Sequence, residues 1–538
     1  MQKKIRLENY NVEKAREQEL ALGPDPVEHG PLPEGGGGGE ANDGLFYAFI
    51  LLGVGSFFLI TYPYRDISVP SLVLAVLGFF AILALMTASY LWPQYYLASV
   101  AFCIYIPFSG QYPGDFGRML LGINFTNILI VPVVLQWIMQ RERQNVPLFR
   151  LYGPDIFLLC FCVLSSISVL RVGIDIGSGS FFDQLVRLKR WLFPFLIYFV
   201  FVNIQRNEKA LKYIVVAIGA TLTTVAILTM KESYDIGPGG SWDRIRVVGV
   251  LGSPNGTGAF FVYYTLLFLG LFLCYWRYSG WSWFLLIPFV LCGRAMTLAN
   301  SRGGLIAFVC AVLATLWFRS KRLFAVGLVF VLLGIQFPEY LPETISGRLF
   351  STIRAENESD ASSSFEEGGG LSSRLEASAQ GRLRIWRAGV KMVAYKPWFG
   401  FGYGQFPFRV GDFDPVVAKR DPHNSYLGIA AEMGVIALLF FVVTLLVILK
   451  ACLYVYRHAS NLFMRALGLA GVGMVLGVMS ANFFGSRLDT TELTAYLWIL
   501  SAIIVQYAHD LRREVRARKG EAPRLEVDPW SEQARESN

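Results

Sequence analysis

His423 is one of four histidines in this chain of 538 residues, and it stands where a polar stretch gives way to an apolar one, in Asp421-Pro422-His423-Asn424-Ser425-Tyr426-Leu427-Gly428. An imidazole titrates near neutral pH, so at such a boundary it can accept the proton of an incoming hydroxyl. The other three, His29, His458 and His509, fall in or near segments expected in the cytoplasm. Asn424 follows directly and could orient the ring or a substrate. Glu432 lies roughly two to three helical turns further on, with no other charge until Lys450. A carboxylate in such apolar surroundings is expected to pair, here with Arg294 or Arg302.

Arginines supply the second kind of chemistry. Asp243-Arg244-Ile245-Arg246 precede Gly252-Ser253-Pro254-Asn255-Gly256, which reads as a tight turn opening a helix. Asn255 is the expected N-cap, and the helix start would place backbone N–H groups and a positive dipole end beside Arg246, suited to a phosphate. Arg302, in Asn300-Ser301-Arg302-Gly303-Gly304, sits at the joint between two apolar spans, where glycines allow close backbone approach. Arg294 lies within an apolar stretch, where a guanidinium costs a few kcal/mol unless paired or facing a polar cavity. Further on, Leu383, Trp386, Val390 and Val393 form an apolar stripe at helical spacing, and Arg384, Arg387 and Lys391 a basic one. This predicts an amphipathic helix on the membrane surface, able to gather anionic head groups or simply to anchor the loop. The run Lys396-Pro397-Trp398-Phe399-Gly400-Phe401-Gly402-Tyr403-Gly404 follows, a turn that can pass close to a ligand. Taken singly, each feature also has a structural reading: an interfacial cap, a snorkelling arginine, an anchor.

The elements that must position these residues are membrane helices. Hydrophobic residues make up 54% of the chain and charged residues 16%, against roughly 25% charged in soluble domains. Mean hydropathy is +0.45. The expected class is all-α, a polytopic integral membrane protein with about fourteen crossings, or twelve to fourteen, at about 20 residues each. Residues 1–43 read as a disordered cytoplasmic tail, 44–337 as the first eleven helices, 338–424 as one long outer loop, 425–507 as the last three helices and 508–538 as a basic cytoplasmic tail. With both termini inside, inner loops collect Arg141, Arg143, Arg150, Lys209, Lys212, Arg319, Lys321, Arg457 and Arg465, the usual bias of basic residues. The net charge of +8 is therefore topological and no sign of nucleic-acid binding. Basic residues also persist in outer segments: Arg171, Arg187, Lys189 and Arg190; Arg244 and Arg246; Arg294 and Arg302. An anion at the outer face would explain their retention. The seven cysteines lie in or beside apolar stretches, and neither a disulfide framework nor a metal site is expected.

In order and placement these motifs resemble the O-antigen ligase and O-antigen polymerase superfamily of bacterial surface-glycan enzymes. The resemblance rests on Arg246 before Gly-Ser-Pro-Asn, on Ser301-Arg302-Gly-Gly, on Arg384-Ile-Trp386 leading into the Gly-aromatic run, and on His423-Asn424 with Gly434 beyond. It covers about 231–450 well. It implies a GT-C-like helical bundle in the bacterial inner membrane with a periplasmic active site, transferring a glycan from an undecaprenyl-diphosphate donor to an acceptor lipid or glycan such as lipid A–core. It implies neither metal nor cofactor and one inversion at the anomeric carbon. On that reading His423 is the base, Arg246 and Arg302 neutralise the leaving diphosphate, and Arg244, Arg294, Arg384, Arg387, Asn424, Asn255 and Glu432 bind donor or substrate. Membrane lipids are the other expected partner. A polymerase or a protein O-oligosaccharyltransferase would share this chemistry and differ in acceptor. A lipid or glycan transporter would be expected to show internal repeats, and no convincing repeat is visible in the sequence.

Overall fold

A computed structural model describes residues 69–111, 125–176, 178–204, 207–236, 247–299, 301–340 and 377–518. The start of the first expected helix at residue 44, the tails beyond these bounds, Arg244, Arg246 and residues 341–376 of the long loop lie outside the described residues. Among those residues the secondary structure is helical throughout. The helices are α1 (Val69–Leu91), α2 (Leu97–Tyr105), α3 (Phe125–Arg143), α4 (Asp155–Ile176), α5 (Ser178–Asn203), α6 (Glu208–Ile236), α7 (Pro254–Tyr275) and α8 (Leu286–Leu298). They continue with α9 (Arg302–Arg319), α10 (Lys321–Gln336), α11 (Ala377–Tyr395), the short α12 (Phe406–Arg409), α13 (Ser425–Met433), α14 (Val435–His458), α15 (Leu462–Ala481) and α16 (Thr491–Arg518).

Eight helical stretches among the described residues are long and apolar enough to cross a membrane. The first of the three helices expected over 425–507 is instead two, α13 and α14, separated at Gly434. Its apolar run is continuous in sequence; the interruption comes from what packs against it.

The bundle centres on α7, α15 and α16, whose apolar windows are mostly buried. Glycine lets α7 and α15 touch: a Cβ on Gly270 would come within 2.5 Å of the Ala470 backbone. In a bilayer, small residues at such contacts replace the hydrophobic drive available in water, because lipid tails are as apolar as leucine. An aromatic layer joins the neighbours. Trp191 and Phe195 of α5 meet Phe161 of α4, and Phe195 stands edge-on to Trp498 of α16 at 4.8 Å.

The two ends of the bundle differ in charge chemistry. At one end Arg141 donates to the Asn203 carbonyl, Arg319 to the Leu273 carbonyl and Arg465 to the Ala459 carbonyl. Lys212 lies over Phe463 and Arg512 over Tyr454 at that same end. These helix C-termini bind cations through their free carbonyls and dipole ends. The opposite end holds the starts of α7, α9, α13 and α16, the loop joining α15 to α16, and the segment from α11 to α13.

Gly270→Ala is expected to destabilise the bundle by about 1–3 kcal/mol through overpacking. Gly293→Ala is the control, since a Cβ there meets nothing within 4 Å. Thermal melts of the two variants in detergent check this: a Gly270→Ala melt equal to that of Gly293→Ala would refute the close contact.

Candidate active site

Short-range hydrogen bonds position α13. Asn424 has extended backbone, and its Oδ1 accepts from the amides of Tyr426 and Leu427 at 3.0 and 3.1 Å, the arrangement of an N-cap. Its side chain is thereby committed to the helix start. Ser425 ties that start to the α15–α16 loop. Its amide donates to the Asn482 carbonyl at 2.9 Å, its hydroxyl reaches the Gly485 carbonyl at 2.9 Å, and it accepts from the Arg487 amide.

The far end of α13 is held by the Gly-aromatic run. Phe401 and Gly402 donate to the carbonyls of Ala431 and Glu432 at 2.9 and 2.8 Å, and Val435 donates to Pro397 O at 2.8 Å. Gly434 has φ +93°, and a Cβ there would lie 2.0 Å from the Trp398 carbonyl oxygen. Gly400 mirrors it, with φ +60° and a hypothetical Cβ 2.4 Å from the Glu432 carbonyl carbon. These two glycines let one backbone cross another.

Behind α13 lies a cavity of about 360 Å³. Its walls include Arg187 and Arg190 of α5, Arg487 and Asp489 of the α15–α16 loop, and Asp421 and Glu432 flanking and ending α13. Arg187 and Arg190 are exposed, and Arg487 is half-buried. Enclosure by the protein pushes the Glu432 carboxyl up to about 7; amides of Gly404 and Phe406 oppose the shift, and Asp421 and Asp489 add to it. The Phe406 amide donates to Glu432 Oε1 at 2.9 Å. Burial also raises Asp489 and lowers Arg487. Three guanidinium groups and three carboxyl groups thus share one partly desolvated space, where charges act more strongly than in water.

His423 stands beside the wall residues Asp421 and Pro422, with its side chain 43% exposed. Its backbone is left-handed, φ +47°. Burial lowers its pKa, and Arg382, Arg487 and Arg420 lower it further, against the opposing pull of Asp421. A histidine kept neutral in this way has a lone pair to offer.

The other expected site residues divide. Arg302 opens α9 behind its N-cap Ser301 and lines no part of the cavity; it is the adjoining Gly303 that borders the loop carrying Arg487, where a Cβ would meet Phe484 at 2.6 Å. Asn255 is not the N-cap of α7. Ser253 fills that place by accepting from the Gly256 amide, because Pro254 takes the first helical position. Arg294 is exposed, with Nη1 3.5 Å from Thr297 Oγ1, and lines no part of the cavity. Glu432 pairs with neither arginine; backbone amides satisfy it. Arg384 forms a bidentate pair with Asp414 at 2.5 and 3.1 Å, which fastens α11 to the segment before α13. Arg387 is exposed.

The stripes of α11 are shifted from expectation. Ile385, Ala388, Gly389 and Met392 are buried, whereas Val390 is 59% exposed and Leu383 38%. The cause is close packing on α13: a Cβ on Gly389 would meet Leu427 at 2.8 Å, so the small-residue face turns inward. Trp386 stays partly buried, and its Nε1 donates to the Pro422 carbonyl at 3.0 Å. The sequence marks Arg187 and Arg190 only as outer basic residues that an anion would retain, at i, i+3 on one helix face, and Arg487 only by the break that Gly485-Ser486-Arg487 makes between two apolar runs.

Residues 287–442 match the family model described as O-antigen ligase. No curated protein matches the chain. The matched stretch holds Arg302, Arg384, His423 and Glu432, while Arg187, Arg190 and Arg487, which complete the cavity, lie outside it.

The fold keeps Glu432 protonated at pH values where an unfolded chain ionises it. The stability contributed by the neutral carboxyl is therefore full below the ordinary value of 4.5 and lost as pH rises through about 7. Glu432→Gln has no proton to lose, so its melting temperature relative to wild type is expected to rise from about pH 5 to about pH 8. A constant difference across that range, in paired thermal melts, would show the carboxyl to be freely hydrated.

Proposed function

We propose that this chain, of which residues 287–442 match the O-antigen ligase family model, is a ligase-like glycosyltransferase of the O-antigen ligase and polymerase superfamily. In this reading it moves a glycan from an undecaprenyl-diphosphate donor to an acceptor hydroxyl, on lipid A–core or a similar lipid. The observation that carries the reading is the convergence of Arg187, Arg190 and Arg487 on one cavity whose wall includes Asp421 and Pro422, the two residues before His423. Three guanidinium groups suit a diphosphate, whose oxygens they can grip in pairs.

In the proposed reaction the acceptor hydroxyl oxygen attacks the anomeric carbon of the donor sugar. Its proton passes to His423, the new C–O bond forms, and the bond from that carbon to the diphosphate oxygen breaks. The electron pair leaves with the diphosphate, and the arginines stabilise the charge that grows there. One displacement inverts the anomeric carbon. The arginines supply the charge that a metal ion would otherwise provide, so no metal or cofactor is required. Arg302, next to the Gly303 that borders the Arg487 loop, is assigned with Arg246 to the same anion, and Arg244 to binding the donor. Arg384 and Asn424 support the site by holding Asp414 and capping α13.

Two features support a lipid-borne donor at the outer face of the bacterial inner membrane. The site lies at the bundle end opposite the cluster of Arg141, Arg319 and Arg465, and basic ends face the cytoplasm. Next to it, Trp398 and Phe399 are 64% and 51% exposed where the apolar α14 begins, and Arg171 donates to the Phe399 carbonyl. Exposed aromatics with a basic neighbour suit the head-group layer.

With purified protein in vesicles, His423→Ala is expected to lower transfer by about 10²–10⁴-fold, the usual share of a general base. Arg487→Lys keeps the charge but loses the paired geometry, and should weaken donor use. Near-normal transfer by both variants would remove them from these roles. In cells lacking the protein, long finished glycans stranded on the lipid carrier are expected. Stranded single repeats would instead make the chain a polymerase.

A further inference from the structure

We infer that Asp421 is the positioning residue of the site, holding the His423 ring and setting which of its nitrogens faces the acceptor. The inference rests on the assignment of His423 as base made above. One carboxylate oxygen carries it. Asp421 Oδ2 accepts from the His423 backbone amide at 2.8 Å and lies 3.3 Å from Nδ1 of the same histidine. A left-handed backbone at a non-glycine residue persists only where its surroundings fix it, and here the Asp421 carboxylate, the Trp386 bond to Pro422 and the Asn424 cap do so from three sides.

The ring orientation follows from the same contact. With Nδ1–H turned to Oδ2, Nε2 is left with its lone pair for the acceptor hydroxyl. When the proton arrives at Nε2, the ring becomes an imidazolium. The charged groups that act on it are Arg382 of α11, Arg420 and Asp421 before α13, and Arg487 from the α15–α16 loop. The three arginines oppose that charge, and Asp421 is the anion among them. Arg487, which suits the leaving diphosphate, thus works against the base together with Arg382 and Arg420, and Asp421 offsets all three on the side facing the ring.

The test compares pH–rate profiles of wild type, Asp421→Asn and Asp421→Glu in vesicles, with a lipid-diphosphate glycan donor. Asparagine retains an oxygen for the His423 amide, so the turn is preserved, but it loses the charge and can present N–H to Nδ1. Asp421→Asn is expected to lower the plateau rate by about tenfold to a hundredfold and to move the acid limb to lower pH. Asp421→Glu should recover part of the rate and return the limb towards the wild-type position. A lowered plateau with an unmoved limb, or an unchanged rate, overturns the inference. So does a wild-type rate in His423→Ala, which would remove the base. Failure of wild type itself to transfer any glycan would count against the proposed function, and is read separately from these variants.

Discussion

A helix entering a bilayer cannot break its backbone ladder unless the freed amides and carbonyls find partners, because lipid offers none. At Gly434 they find them in residues 397–402. Pro397 accepts from Val435, and Phe401 and Gly402 donate to the last carbonyls of α13. The Ser168 hydroxyl on α4 also reaches the Glu432 carbonyl at 3.2 Å. Everything at the site depends on this crossing of two backbones. It detaches α13 from the spanning helix α14, turns Glu432 into the cavity wall, and sets the angle at which Asn424 and His423 meet the Arg487 loop. A side chain at Gly434 or Gly400 would occupy the space of the opposing carbonyl group.

The cavity brings together charges that differ in cost. Arg487 and Glu432 are held away from bulk water, and each is shifted towards its neutral form by burial. Arg187 and Arg190 stand at the open side, where hydration persists. An anion arriving there would gain most from Arg487, whose own solvation is already poor. Such a gradient favours a ligand whose charge develops deep in the site, as a leaving diphosphate does, over one that only binds at its edge.

Much of the local chemistry was legible in the chain itself. The joint at Ser301-Arg302-Gly-Gly, the glycines of the aromatic run and the boundary at Asp421–Asn424 were visible because turns, caps and close approaches demand particular residue types at adjacent positions. Misreadings arose where two residues compete for one local role or where packing overrides pattern. Ser253 displaced Asn255 as the cap of α7 because the proline between them begins the helix. In α11 the bulky residues Leu383 and Val390 stayed outside while Ala388 and Gly389 went in, since closeness of approach to Leu427 mattered more than hydrophobicity.

By its own pattern the sequence determined an apolar helical chain, a set of basic residues suited to one side of a membrane, and a histidine at a polar boundary with an asparagine beside it. These are properties of composition and of neighbours within a few residues, and local physics suffices for them. Only the tertiary structure decided which arginines share the cavity behind α13. Arg187 and Arg487 are 300 positions apart in the chain, and their convergence depends on α5 and α16 packing through Phe195 and Trp498. It also decided that Glu432 is held by the amides of Gly404 and Phe406 and not by a cation. Such pairings depend on distances between helices, which are set by the fit of whole faces and are not written in any short stretch of residues.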